Sequence, residues 1–563
     1  MGICDLKVVS SDCLRKDYIF PAKVLWQSEG AENTEILLNA ADGQANNGEK
    51  RPIVKLSTTE GKKAAFLLDF GSEFSGGVRI ITQMISMNDV PHVPGVKMHI
   101  RFGESVSEAM TPLGVRNSWN AHTPRDLVVP LMYYGSTEWG QTGYRFLYLE
   151  LETPDVYVEL AAVHGIFTYR DIPYIGSFAC SNSILGDIYN TSAYTVHLNM
   201  QSMLWDGIKR DRLVWIGDMH PEVLAIRSVF GYNSIVDDSL RYVAESYPVP
   251  DWPNHITSYG MWYLLILRDW CFHNGKKDLL QELRDYWVPL LKQLAALVHT
   301  EGKPLIEEEL NRGFFLDWPT RDMPEAGGAG VHALLAQALL AGAGLCDLIG
   351  ETLLAEKVRA KVKYLSHSGL QHENMKQVVA MMRLAGHITD GEAAEVLTKG
   401  CGRGMSTFQS YYILKAAAKT AGIEKALAML EQYYGGMLRA GATTFWEDFD
   451  VDWIREGARI DRILKPGEYD IHGDNGRYCY QGLRHSLCHG WSAGPAAFLA
   501  EEVLGVKIQA AGCKELRIQP ELGTLEWAKG SYPTPYGAVI IEAEREGDKV
   551  KTKIEAPKEI TII

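Results

Sequence analysis

Between Trp205 and Asp218, fourteen residues carry three carboxylates (Asp206, Asp211, Asp218), two arginines (Arg210, Arg212) and two tryptophans (Trp205, Trp215). Leu213, Val214 and Ile216 alternate with these charges, so the segment is expected to be partly buried rather than solvated. A buried carboxylate needs partners and acquires a displaced pKa. A second stretch, residues 441–450, sets Glu447 between Trp446 and Asp448, and a third, residues 486–495, carries His489 and Trp491. Taken singly, each has an ordinary explanation: a loop of local ion pairs, an acidic helix end, a hydrogen-bonded core histidine. Together they supply what cleavage of a glycoside requires. One carboxyl must hold a proton for the departing oxygen while another, ionised, activates water or attacks directly. Two acids roughly 240 residues apart, one from the first stretch and one from the second, could serve, and only the fold can bring them together.

The elements that must position them fall into three parts. Residues 1–176 are β-rich. Ala64 to Gly71 ends at an expected turn, and Val78 to Thr82, Val96 to Phe102, Phe146 to Leu151 and Val156 to Leu160 have strand character, punctuated by Gly, Pro, Asn and Asp. Short strands at this spacing predict a β-sandwich. Residues 177–504 turn helical, with apolar residues at i, i+3 and i+4. The clearest segments are Ile184 to Met203, Gly260 to Phe272, Lys277 to Val298, His332 to Ile349, Leu354 to Tyr364, Phe408 to Ala421, Ile423 to Tyr434 and Ala496 to Leu504. Roughly a dozen helices without a fixed repeat predict an (α/α)6 barrel rather than a solenoid. Residues 505–563 return to strand alternation in Leu516 to Ile518, Val539 to Ala543 and Val550 to Ala556. So short a piece cannot form a generous sandwich alone, and is expected to pack on the helices or to borrow strands. The predicted architecture is multidomain: a central all-α barrel flanked by an N-terminal β-sandwich and a small C-terminal β domain.

Composition narrows the partners. A net charge of −14 with no basic run argues against nucleic acid. The 14 Trp and 26 Tyr suit a protein that stacks on the apolar faces of sugars, beside their ordinary use in a large core. Nine cysteines, including Cys4, Cys180 and Cys513, are scattered with no CxxC pair, which speaks against a zinc cluster or a disulfide framework and for a reducing compartment. Residues 1–20 lack the apolar block of a signal peptide, and no stretch is read as long enough to span a membrane. A cytoplasmic location with no membrane partner follows as the expectation. With no dense Asp/Asn loop, no phosphate-cradling glycine loop and no dinucleotide fingerprint, neither a metal nor a cofactor is expected.

The three acidic and aromatic stretches, in this order, resemble glycoside hydrolase family 78, the α-L-rhamnosidases. The family pattern Asp-x-x-x-Arg-(Glu or Asp)-x-x-x-Trp-x-Gly-Asp is matched by Asp206, Arg210, Asp211, Trp215, Gly217 and Asp218. Ala442 through Glu447 is similar to its second acidic segment and Cys488 through Pro495 to its third. Ala528 through Pro535 is similar to its closing β domain, and Leu68 through Gly71 to its upstream sandwich, so the resemblance runs from about residue 60. It implies inverting hydrolysis of terminal α-L-rhamnosyl residues, with Asp211 as general acid and Glu447 as general base. Asp206 and Asp218 would bind sugar hydroxyls, and Arg210 would orient the acid or steer a carboxylate. His489 would touch substrate. Trp215, Trp446 and Trp491 would wall the rhamnose methyl group, with Trp252 and Trp318 as further wall residues. The family's well-known members carry Glu where this chain has Asp211, a side chain one methylene shorter; a displacement of about an ångström can cost about a hundredfold in rate. Only about 175 residues precede the helical part, which favours a small rhamnoside or oligosaccharide as partner. Two alternatives stand beside this reading. One is another (α/α)6 carbohydrate enzyme, an unsaturated glycuronidase or a polysaccharide lyase using Tyr478, Tyr480 or His485. The other is a sugar-binding homologue with weakened catalysis.

Overall fold

A computed structural model describes residues 13–41, 43–46, 52–88, 90–298, 313–365 and 370–563; Cys4 and the start of the first expected domain lie outside the described residues. The N-terminal part is a ten-stranded network whose main path runs Ala31–Glu32, Val54–Ser57, Val156–Arg170, Ala65–Met87, Ser136–Leu151, Lys97–Gly103, Asp126–Pro130. Its pairings are antiparallel. The run from Ala65 to Leu68 is apolar at every position because both faces are covered. Phe66 and Leu68 join the larger core, while Ala65 and Leu67 pack with Val106 and Ala109 on the other side.

The turn expected at Gly71 is instead a bulge. Ala65–Met87 continues as one 23-residue strand, with register shifts between Asp69 and Phe74 and between Gly76 and Val78. Gly76 sits at φ 151°, and a Cβ there would lie 1.7 Å from the Ile166 carbonyl oxygen, so no larger residue fits this bend.

Thirteen α-helices lie between Ser183 and Phe498 among the described residues, packed as hairpins such as Ser410–Ala421 with Ile423–Arg439. The first, Ser183–Asn199, is capped by the Asn182 side chain, which accepts the Ile184 N–H at 3.1 Å. It stops short of the expected Met203 because Met200 and Leu204 form a β-bridge that opens the segment from Trp205 to Asp218. The helix expected over Lys277 to Val298 is two, Lys277–Glu282 and Arg284–Ala296, broken at Leu283. The last expected helix, Ala496 to Leu504, is an α-turn over Gly494–Phe498 that widens into a π-turn over Leu499–Val503.

Pro324–Leu348 is longer than expected, beginning eight residues before His332. Its 25 residues, with a mean hydropathy of 1.6 over the most apolar eighteen, give it the length and composition of a membrane span, against the expectation that no stretch has them. In the fold 83% of its most apolar window is buried, and its neighbours include Thr257–Asn274, Thr352–Val362 and Lys376–Leu384. It is a core helix of this domain.

The C-terminal residues do borrow a strand. Ser177–Cys180, which precedes the first long helix, pairs with Trp527–Thr534, followed in the same sheet by Gly537–Glu546 and Lys549–Glu555. A second sheet joins Val506–Ala510, Glu515–Ile518 and Thr561–Ile562.

Candidate functional site

The segment after the first long helix is a loop closed on itself. Asp206 Oδ1 accepts the Leu213 N–H at 2.9 Å, and the Asp206 N–H donates to the Leu213 carbonyl at 3.1 Å. The Asp206 carbonyl accepts the Gly490 N–H at 2.7 Å, which ties the loop to the His489 stretch. At its tip Asp211 and Arg212 stand at φ 56° and 59°, two consecutive non-glycine residues in the left-handed region. Such strain persists only where neighbours over-determine it. Here the neighbours come from the sheet domain. The Asp211 N–H donates to His122 Nδ1 at 2.5 Å, and the Thr123 hydroxyl donates to the Lys209 carbonyl at 3.0 Å.

Lys209 fixes the loop from beneath. Its buried ammonium lies 3.1 Å from Glu104 and 2.9 Å from Glu108, both of the sheet domain. It also donates to the Leu483 and His485 carbonyls at 2.8 and 2.7 Å. Glu104 in turn accepts the Leu487 N–H at 2.6 Å. Burial raises the pKa of Glu104, and of Glu73 facing it, where the Glu104 charge adds to the effect.

Arg210 joins the two proposed catalytic carboxylates. Nη1 donates to Asp211 Oδ1 at 3.1 Å and Nη2 to Glu447 Oε1, while Nε holds the Arg484 carbonyl at 3.2 Å. Burial opposes the guanidinium charge, but Glu447 and Asp211 outweigh it and the pKa is raised. The carboxylates thus face one cation and not each other. Glu447 is 4% exposed, its second oxygen 3.2 Å from the Ser486 N–H, and its carbonyl accepts the Trp491 indole N–H at 2.9 Å.

Beside this pair opens a pocket of about 270 Å³. Asp206, Arg210, Asp211, Asp218, Glu447, His489, Trp215, Trp318 and Trp491 all line it, with every one of these named beforehand from sequence. Burial, then the neighbouring Asp211 and Asp218 charges, pushes Asp206 well above the usual carboxylate range. Burial does the same to Asp218, whose carboxylate accepts the Tyr259 hydroxyl at 3.1 Å. Burial pushes His489 well below the usual histidine range; its ring lies 4.2 Å from Trp491, and Nε2 stands 3.8 Å from Asp206 and 3.9 Å from Glu447. The arrangement offers an apolar wall, two buried acids and, at the mouth, two carboxyl groups sharing one guanidinium.

Two of the expected wall residues do not line it. Trp446 is fully buried, against Phe449 and His485. Trp252 packs on Gly260, its ring 3.3 Å from where a Cβ would stand. Tyr478, Tyr480 and His485 also lie outside: His485 is fully buried and accepts the Asp448 N–H at 2.9 Å, and Tyr478 stacks on the far side of Trp318 and donates to Asp322 at 2.6 Å. Sequence reasoning missed Ile256, Tyr259, Phe314, Phe315, Arg321 and Cys479, which complete the lining. Burial, with the Glu447 charge, pushes the Cys479 thiol up to about 12, so it behaves as an apolar wall atom.

Comparison with known proteins bears on this geometry. The profile of the bacterial α-L-rhamnosidase six-hairpin glycosidase domain matches residues 173–343, and that of the bacterial α-L-rhamnosidase C-terminal domain matches residues 505–563. Both profiles describe domains of α-L-rhamnosidases, and the first takes in the whole Asp206–Asp218 segment. Solved structures agree on the fold. The family 78 rhamnosidase of Bacillus sp. GL1 is similar with a TM-score of 0.73 at 21% identity, over 94% of this chain and 55% of that one. A Klebsiella oxytoca rhamnosidase with rhamnose bound gives 0.66 at 19%, over 87% of this chain and 96% of that one. The Streptomyces avermitilis α-L-rhamnosidase complexed with L-rhamnose gives 0.64 at 15%, over 88% and 48%. This chain therefore spans about half of the Bacillus and Streptomyces proteins and nearly all of the Klebsiella one. No curated protein sequence matches it.

Proposed function

We propose that this protein hydrolyses terminal α-L-rhamnosyl residues of small glycosides or oligosaccharides, with inversion at the anomeric carbon. The observation that carries the reading is Arg210, which holds Asp211 and Glu447 on one guanidinium at the mouth of a pocket sized for a single sugar ring. Protonated Asp211 gives its proton to the glycosidic oxygen as the C1–O bond breaks. Glu447 takes a proton from the water that attacks C1 on the opposite face, and the products are β-L-rhamnose and the free alcohol. Protonated Asp206 and Asp218 donate to and accept from the sugar hydroxyls. Trp215, Trp318 and Trp491 lie against the methyl group and the apolar ring face. That proteins of this fold from Klebsiella and Streptomyces hold rhamnose supports the choice of sugar.

The test is a screen of aryl α-L-glycosides, with proton NMR reading the anomer released first. β-L-rhamnose from an α-rhamnoside is expected; the α-anomer would overturn inversion, and absorbance from a new double bond would replace hydrolysis by elimination. One observation favours a second reading, a sugar-binding protein with weakened catalysis: the shorter Asp211 where the family carries Glu. No turnover of any glycoside, with rhamnose still bound, would select it. A cytoplasmic setting belongs to the proposal; it suits the eight described cysteines, all free thiols, and fractionation of the source cells tests it.

A further inference from the structure

The sheet domain sends one loop, residues 111–125, across the outer side of the catalytic segment. It is pinned at many points. Arg116 pairs with Asp470 at 2.9 Å and Asp474 at 2.6 Å, and its carbonyl accepts the Leu483 N–H at 2.9 Å. Asn120 Oδ1 accepts the N–H groups of Arg125 and Asp126 at 3.0 and 3.1 Å, and the Ser118 hydroxyl donates to the Pro112 carbonyl at 2.7 Å. On this rigid loop two side chains stay open to solvent beside the site. His122 lies 3.0 Å from Asp211 Oδ1. Trp119 is 58% exposed. The Arg484 guanidinium stands 5.9 Å from the centre of the Trp119 ring, and Trp119, Arg210 and Arg484 border one small hollow.

Position relative to the acid gives this exposure its meaning. A general acid must face the glycosidic oxygen, so the group that departs lies on the acid's outer side while the rhamnosyl ring fills the pocket. Asp211 is bordered on that outer side by His122, and the Trp119–Arg484 pair adjoins Arg210 there. We propose that this loop forms the leaving-group subsite, in which the open face of Trp119 stacks on a flat ring of the aglycone, aromatic or pyranose. His122 is a positioning residue there, holding the Asp211 backbone. The proposal rests on the rhamnosidase reading and extends it from the sugar removed to the group it is removed from.

The experiment compares the parent with Trp119→Ala and Trp119→Phe on 4-nitrophenyl α-L-rhamnoside, a rhamnosyl-glucose disaccharide and methyl α-L-rhamnoside, whose leaving group has no ring. The expected loss of kcat/KM in Trp119→Ala is about tenfold greater for ring-bearing substrates than for the methyl glycoside, with Trp119→Phe recovering most of it. A selective loss on the aryl substrate alone supports an aromatic leaving group, and on the disaccharide alone a sugar. An equal loss on all three, or no loss, overturns the subsite and leaves the hydrolase reading intact. Absence of turnover of every rhamnoside by the parent overturns both.

Discussion

Two sets of buried carboxyls flank the Asp206–Asp218 segment, and they differ in what satisfies them. At the domain boundary, Glu104 and Glu108 share the Lys209 ammonium, and the Leu487 N–H and Ser486 hydroxyl complete Glu104. At and beside the pocket, Asp206, Asp218 and Glu222 pair with no lysine or arginine among the described residues, and the Arg210 guanidinium is committed to Asp211 and Glu447. Burial pushes all three up, and neither Glu222 oxygen has a hydrogen-bond partner. A saturated buried cluster fixes geometry; an unsaturated one leaves hydrogen-bonding capacity for a ligand to complete. Residues a few positions apart, Asp206 and Lys209, serve the two ends.

The comparison breaks most visibly at the pocket. Glu447→Gln keeps the shape and removes the base, so kcat on an aryl rhamnoside should fall by about 10² to 10⁴. Undiminished turnover would move the base elsewhere. At the boundary, Lys209→Met strands two buried carboxyls and should cost about 3–5 kcal/mol in urea denaturation. A cost below about 1 kcal/mol would make the cluster an ordinary ion pair.

Acidity probes the pocket set next. Unfolded Asp titrates near pH 4, whereas folded Asp206 keeps its proton well above that. Above about pH 4 the unfolded chain therefore binds fewer protons, and the folded state loses stability as pH rises toward the folded pKa, by up to about 1.4 kcal/mol per pH unit. Asp206→Asn should abolish that share, so the variant gains on the parent between about pH 5 and about pH 7. Parallel denaturation midpoints at both pH values would contradict a protonated Asp206. The smallest effect belongs to the walls. Trp215→Ala should raise KM about tenfold through lost ring contact, while Trp252→Phe, outside the pocket, should change KM less than about twofold.

The contiguous part of the site was legible in the sequence. Asp206, Arg210, Asp211, Trp215 and Asp218 occupy one loop, and spacing within a loop survives folding. Phe314, Phe315, Arg321 and Cys479 arrive from separate connections with no local pattern to flag them. Trp446 and Trp491 both flank acidic or polar groups in sequence, and only backbone direction decides that one faces the pocket. Among the helices, Gly327, Gly328 and Gly330 disfavour helix locally, yet Pro324–Leu348 runs through them because packing overrides propensity: Gly330 has a Leu316 methyl 2.2 Å from where its Cβ would be. The bulge at Gly71 looked like a turn since both use a glycine at positive φ. His122 gave no signal at all, being an isolated histidine in a different domain from the carboxylate it touches.

The strand Ser177–Cys180 finds its partner 354 residues later, Ser177 opposite Ser531. During synthesis at about 5–20 residues per second, that edge waits roughly 20 to 70 seconds on the ribosome before its mate emerges. The helices between are thus threaded as an unclosed ring while the chain lengthens, and Trp527–Thr534 acts as its clasp. Premature termination anywhere before Trp527 would release a product with a bare strand edge, a substrate for chaperones and for aggregation.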